Sequence, residues 1–113
     1  MNETVYHRDI YFVRALCPNG PVKIGSTIDV PARMKVVANW APFKLELIAE
    51  TPGDYVIEKR FHALFRPTHS HGEWFFWSAL MSDVVKELRA GTFDLATLPP
   101  PVCLVGRNAR PAA

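Results

Sequence analysis

Apolar residues crowd the segment 9–25, DIYFVRALCPNGPVKIG, in two runs: Ile10, Phe12, Val13 and Leu16, then Val22 and Ile24. Cys17-Pro18-Asn19-Gly20-Pro21 lies between them. Two β-rich arms around Pro-Asn-Gly predict an antiparallel hairpin, because Asn and Gly accept the positive φ that such a turn requires. The Tyr11 phenol and the Lys23 amine stand at matching places in the arms, and a purely structural hairpin needs neither.

Downstream, Asp29 suits a helix N-cap and Pro31 suits a first turn, which predicts a helix over 30–38. Met34, Val37 and Ala38 would face inward, with Arg33 and Lys35 off that stripe; Trp40-Ala41-Pro42 ends it. Phe43, Leu45 and Leu47 alternate with Lys44 and Glu46, the pattern of a half-buried third strand. After the turn Thr51-Pro52-Gly53-Asp54, a helix over 55–65 carries Ile57, Phe61, Leu64 and Phe65 on one face. Glu58 and His62, four apart, stack along the adjacent face. Arg66-Pro67 stops this helix, and the aromatic run Trp74-Phe75-Phe76-Trp77 reads as an extended segment on the core. Ser78 caps a last helix with Leu80, Met81, Val84, Val85 and Leu88 inward, and Gly91 closes it.

The order β-β-α-β-α-(β)-α predicts an α+β domain with a small, antiparallel-rich, three-stranded sheet flanked by helices. Residues 1–8 read as a lead-in, 9–91 as the domain, and 92–113, with three consecutive prolines, as an extended or flexible tail.

Composition narrows the class without naming a chemistry. At 113 residues, 49% hydrophobic and 21% charged, the chain has the make-up of one globular domain. No run approaches the roughly 18 apolar residues of a membrane span, and the polar start MNETVYHRD is no export signal. Cys17 and Cys103 show no CxxC spacing and read as free thiols of a cytoplasmic protein. A net charge of +2 is compatible with nucleic acid without requiring it. His69-Ser70-His71 lacks further ligands at zinc spacing and reads as a polar loop. Trp40, Trp74 and Trp77 are a stock of rings able to stack on bases, although their pattern reads mainly as packing.

Asp9-Ile10-Tyr11, then Lys23-Ile24-Gly25, then Arg33 and Glu58 follow one another in the order of the GIY-YIG nuclease superfamily, which this chain resembles. Asp9 stands for the usual first glycine and Lys23 for the second tyrosine. The resemblance is closer to the branch labelled a bacteriophage DNA-binding or meiotically up-regulated-gene domain, written KIG-x-T, R, ExxxH, GEWF. The chain supplies Lys23-Ile24-Gly25-Ser26-Thr27, Arg33, Glu58 with His62, and Gly72-Glu73-Trp74-Phe75. Each motif is weak alone; four in order are a much stronger signal.

That resemblance implies a metal-dependent DNA endonuclease of single-metal type, with Mg²⁺ or Mn²⁺ held by Glu58. Tyr11 would act as general base or orient the attacking water. A phenol with a reference pKa of about 10 needs a cation nearby, and Lys23 across the hairpin is the candidate. Arg33 would clamp the phosphate through its planar fork. His62 would bind a phosphate oxygen or relay a proton, and Gly25, Ser26 and Lys35 would contact substrate, Gly25 by leaving room for the backbone to approach it. Glu73 takes at most a supporting place. Taken singly, each residue has a plainer reading, Glu58 and His62 as an ordinary helix-stabilising pair. The competing function is a DNA-binding module of the same fold that cleaves weakly or not at all. A catalytic module this small implies specificity from a partner protein or from a second copy, or else low specificity.

Overall fold

Ile10, Tyr11, Phe12 and Val13 are all fully buried, and four consecutive strand residues can be so only where both faces of the sheet are covered. They belong to β1 (Arg8–Ala15). The computed structural model describes residues 8–104. In it β1 pairs with β2 (Val22–Thr27) and β3 (Leu45–Gly53), and a short hairpin of β4 (His69–His71) and β5 (Trp74–Phe75) extends the sheet. The order is β3-β1-β2-β5-β4 and every pairing is antiparallel. The fold is α+β as expected, but the sheet has five strands rather than three. The added pair is three and two residues long, too short to leave a periodic signal.

The β1–β2 turn works by two devices. Asn19 takes the positive φ, at 57°. Gly20 is needed for space instead, because a Cβ there would run into the Ala15 carbonyl.

Alternation along β1 separates two layers. Ile10 and Phe12, with Val22, Ile24 and Ile48, pack beneath α2 (Tyr55–Leu64) and α3 (Ala79–Ala90), around the rings of Phe61, Phe65 and Phe75. Phe12 meets Phe61 edge-on at 5.2 Å between centroids, a favoured aromatic geometry. Tyr11, Val13 and Ala15 point the other way, to α1 (Val30–Trp40), which buries only Val30 and Val37. Asp29, Asp54 and Ser78 each accept a backbone N–H in the first turn of their helices, a contact worth about 1 kcal/mol apiece.

Three local expectations change. Ala38 is exposed, and α1 runs on through Trp40. Phe43 lies outside the third strand and is exposed; a bulge opposite Phe12 and Val13 then breaks the alternation, so that Ile48 and Ala49 are both buried while Leu47 is not. β3 also continues through Pro52, in the place a sheet tolerates proline, an edge strand.

The segment after α3 is not loose as far as Leu104. Phe93, Leu95, Leu98 and Leu104 pack on the core, and the Arg60 guanidinium donates to the Leu98 and Pro99 carbonyls at 2.7 and 3.1 Å. Residues 1–7 and 105–113 of the expected lead-in and tail lie outside the described residues. No helix among the described residues is long and apolar enough to cross a membrane.

Candidate active site

β5 covers the edge of β2 only at Val22 and Lys23, and the Glu73 carbonyl takes one further bond, from the Ile24 amide. Past that point the ladder stops. Groups from the two layers therefore meet around the end of β2, in a cleft of roughly 270 Å³ lined by Arg8, Tyr11, Ser26, Thr27, Arg33, Tyr55, Glu58 and Glu73.

From the α1 side come Tyr11 and Arg33. Tyr11 pairs across the hairpin with Gly25, and its ring passes over that glycine: a Cβ at Gly25 would overlap the phenol, with ring carbon Cζ 2.6 Å away. Gly25 thus serves to seat Tyr11, a role different from the backbone approach expected of it. Arg33 Nε donates to the Tyr11 hydroxyl at 3.3 Å. That contact holds the Arg33 pKa above its ordinary value, so the guanidinium is charged throughout the working range.

From the α2 side comes Glu58, with only 2% of its side chain exposed. Burial pushes its carboxyl pKa up; a hydrogen bond from Ser26 opposes this, and the neighbouring Glu73 carboxylate adds to it. Its Oε2 lies 3.5 Å from both Lys59 Nζ and His62 Nε2 and makes no hydrogen bond. Glu73 behaves oppositely. Burial pushes it up, but the Lys23 ammonium, 2.7 Å from Oε1, and a hydrogen bond with the Glu58 carboxyl together outweigh burial and hold the carboxyl below its usual range. The two carboxyls titrate as a pair in which Glu58 keeps the proton longer.

Tyr11, Arg33, Glu58 and Ser26 are brought together; Lys23, Lys35 and His62 do not line this cleft. Lys23 shares the Tyr11 face of the sheet but is paired to Glu73, so the cation bonded to the phenol is Arg33. Lys35 is exposed on α1, two residues beyond Arg33 and hence on another side of the helix. His62 is fully buried, its Nε2–H donating to the Ile24 carbonyl at 2.9 Å. Burial lowers its pKa and keeps the ring neutral. It ties α2 to β2 beneath the cleft, away from any phosphate within it.

Arg8, Tyr55 and Glu73 complete the cleft without having been singled out as site residues. The Arg8 guanidinium bonds Ser26 Oγ at 3.2 Å and lies 4.1 Å from the Tyr55 ring centroid, a cation–π arrangement. The available signal for Tyr55 was its place three residues before Glu58 on one helical face; for Arg8 it was its alternation with Ile10.

Among the described residues no group of three or more His, Cys, Asp or Glu could hold a metal ion. Glu58 fits a hard divalent cation in another way. Its carboxyl lies in the cleft wall, with Oε2 buried against Lys59 and His62 without a hydrogen bond and so short of partners, and one carboxylate suffices for an ion that keeps several waters and takes phosphate oxygens.

The class defined here is an α+β domain whose sheet edge gathers a carboxylate pair, an arginine and a tyrosine in one open cleft. Residues 9–91 match the T5orf172 domain, and the chain belongs to that family, a phage-associated domain of the nuclease-like group. No curated protein and no solved structure matches the chain.

Proposed function

We propose that this domain is a metal-dependent DNA endonuclease of GIY-YIG type, hydrolysing one phosphodiester at the end of β2. The observation that carries the reading is the convergence of Tyr11, Arg33 and Glu58 from three separate elements on one 270 Å³ cleft. Arg33 binds the scissile phosphate and neutralises charge that grows in the transition state, its fork matching two phosphate oxygens. Tyr11, already bonded to Arg33, orients the attacking water and, acting as the phenolate, takes its proton to become the phenol. Arg8 adds positive charge at the rim. Glu58 would hold Mg²⁺ or Mn²⁺, which when bound supplies Lewis-acid stabilisation of the phosphate and the leaving oxygen. Glu73 positions Lys23 and biases the proton on Glu58. Free Cys17 and Cys103 suit a reducing cytoplasm.

The test is nicking of supercoiled plasmid with Mg²⁺ or Mn²⁺. Tyr11→Phe is expected to slow nicking on the order of 10²-fold, and Arg33→Lys, which keeps the charge but loses the fork, by about 10-fold or more. Salt-sensitive DNA binding with no nicking by the wild type under either metal would instead make the domain a binding module of the same fold.

A further inference from the structure

On the Tyr11 side of the sheet, a second groove of roughly 440 Å³ runs between α1 and β5. Its walls include Val36, Trp40, Phe43 and Trp74. Trp40, the last residue of α1, is 85% exposed, and Phe43 and Val36 are about half exposed. The other two tryptophans are partly buried, and Trp77 carries the Arg14 guanidinium 3.8 Å from its ring centroid. Trp40 is therefore the indole left facing solvent, and packing does not account for it.

Two further observations say what fits there. No acidic side chain lines the groove, whereas Lys23, Arg33 and His71 do; Lys23 is neutralised by Glu73, and Arg33 keeps its charge. Arg33 also lines the cleft with Glu58, so the two cavities share one guanidinium wall. An apolar, aromatic slot joined to a phosphate site through a common arginine is complementary to a base and its own phosphodiester. Stacking on such a platform tolerates any base, because every base has a π-face.

We propose that this groove takes an unstacked nucleobase beside the scissile phosphate, held against Trp40, so that the substrate is DNA with single-stranded character at the cut. This rests on the endonuclease reading and deepens it. A fully paired duplex keeps its bases stacked inside and offers none to the groove.

The test is made without metal, with chelator present, on the full chain. Short oligothymidine is titrated against the wild type, Trp40→Ala and Trp77→Phe, following tryptophan fluorescence and affinity together. Oligothymidine is expected to quench the wild type and Trp77→Phe. Trp40→Ala should lose most of the quench and bind roughly 5- to 100-fold more weakly. An oligonucleotide of abasic sites, which keeps the phosphates and removes the bases, should bind the wild type as weakly as oligothymidine binds Trp40→Ala, and Trp40→Ala should weaken it no further. Unchanged affinity and quench in Trp40→Ala overturn the proposal, as does abasic strand binding as tightly as oligothymidine. Loss of self-association in Trp40→Ala with no effect on oligonucleotide binding overturns it in favour of a protein partner. Plasmid nicking that persists while these readouts fail leaves the endonuclease reading standing and removes only the groove; base-dependent binding without nicking does the reverse.

Discussion

Glu58→Gln is expected to abolish metal-dependent nicking, lowering its rate on the order of 10³-fold, while metal-free DNA binding stays within about twofold. Glutamine keeps the shape and the capacity to accept from Ser26 but removes the charge that a divalent cation requires. The same substitution should raise the Tm of the metal-free protein near neutral pH. Burial, assisted by Glu73, holds the folded pKa of Glu58 above its unfolded value. Its contribution to stability is then fully present below the unfolded pKa and is lost as pH rises through the folded one. The Tm of Glu58→Gln minus that of wild type should therefore grow from acid towards neutral pH in chelator. Glu73 carries the opposite sign: its lowered pKa contributes stability above its unfolded value that is lost as pH falls through the folded one. Nicking that survives Glu58→Gln within tenfold would remove Glu58 from the site, and a Tm lower than wild type at neutral pH would refute the burial argument.

Gly25→Ala is the second large effect, and it acts through packing. The new methyl has no room beneath Tyr11. Either β2 shifts or the ring lifts, at a cost of about 1–3 kcal/mol, a fall in Tm of roughly 5–15 °C for a domain of this size. Lifting the ring also takes the hydroxyl away from Arg33, so nicking should drop about as far as in Tyr11→Phe even where the variant remains folded. Combining Gly25→Ala with Tyr11→Phe should give less than the sum of the two losses in activity, since both disable one phenol. Thermal melts and plasmid nicking on the four proteins of the cycle measure both. Strict additivity would mean that Gly25 acts elsewhere.

Local chemistry made much of this fold legible. Asn19-Gly20 announced the hairpin, and Asp29 and Ser78 announced helix starts, because turns and caps are decided by a few neighbouring residues. The inward faces of α2 and α3 followed from spacing, though Leu80 remains 45% exposed. The bulge that buries Ile48 and Ala49 was not legible: it depends on how β3 registers against β1, more than thirty residues away in the chain. The site divides the same way. The motif order named Tyr11, Arg33 and Glu58, whereas the Lys23–Glu73 pair joins residues 50 apart in sequence. Lys23 therefore read as a partner for the phenol until the strand order placed Glu73 beside it. Trp40 read as packing because an indole in an amphipathic pattern cannot announce that the helix ends in solvent.

β5 is only two residues long. One more pair of rungs would lay a strand along Gly25 and Ser26, parting the residues of α1 from those of α2. The opening that would admit a phosphate on the proposed reading is thus an unfinished ladder, and its width is a property of the main chain. Exchanging side chains retunes what binds there; inserting residues between β4 and β5, so that pairing runs past Lys23, is the change that would close the aperture itself.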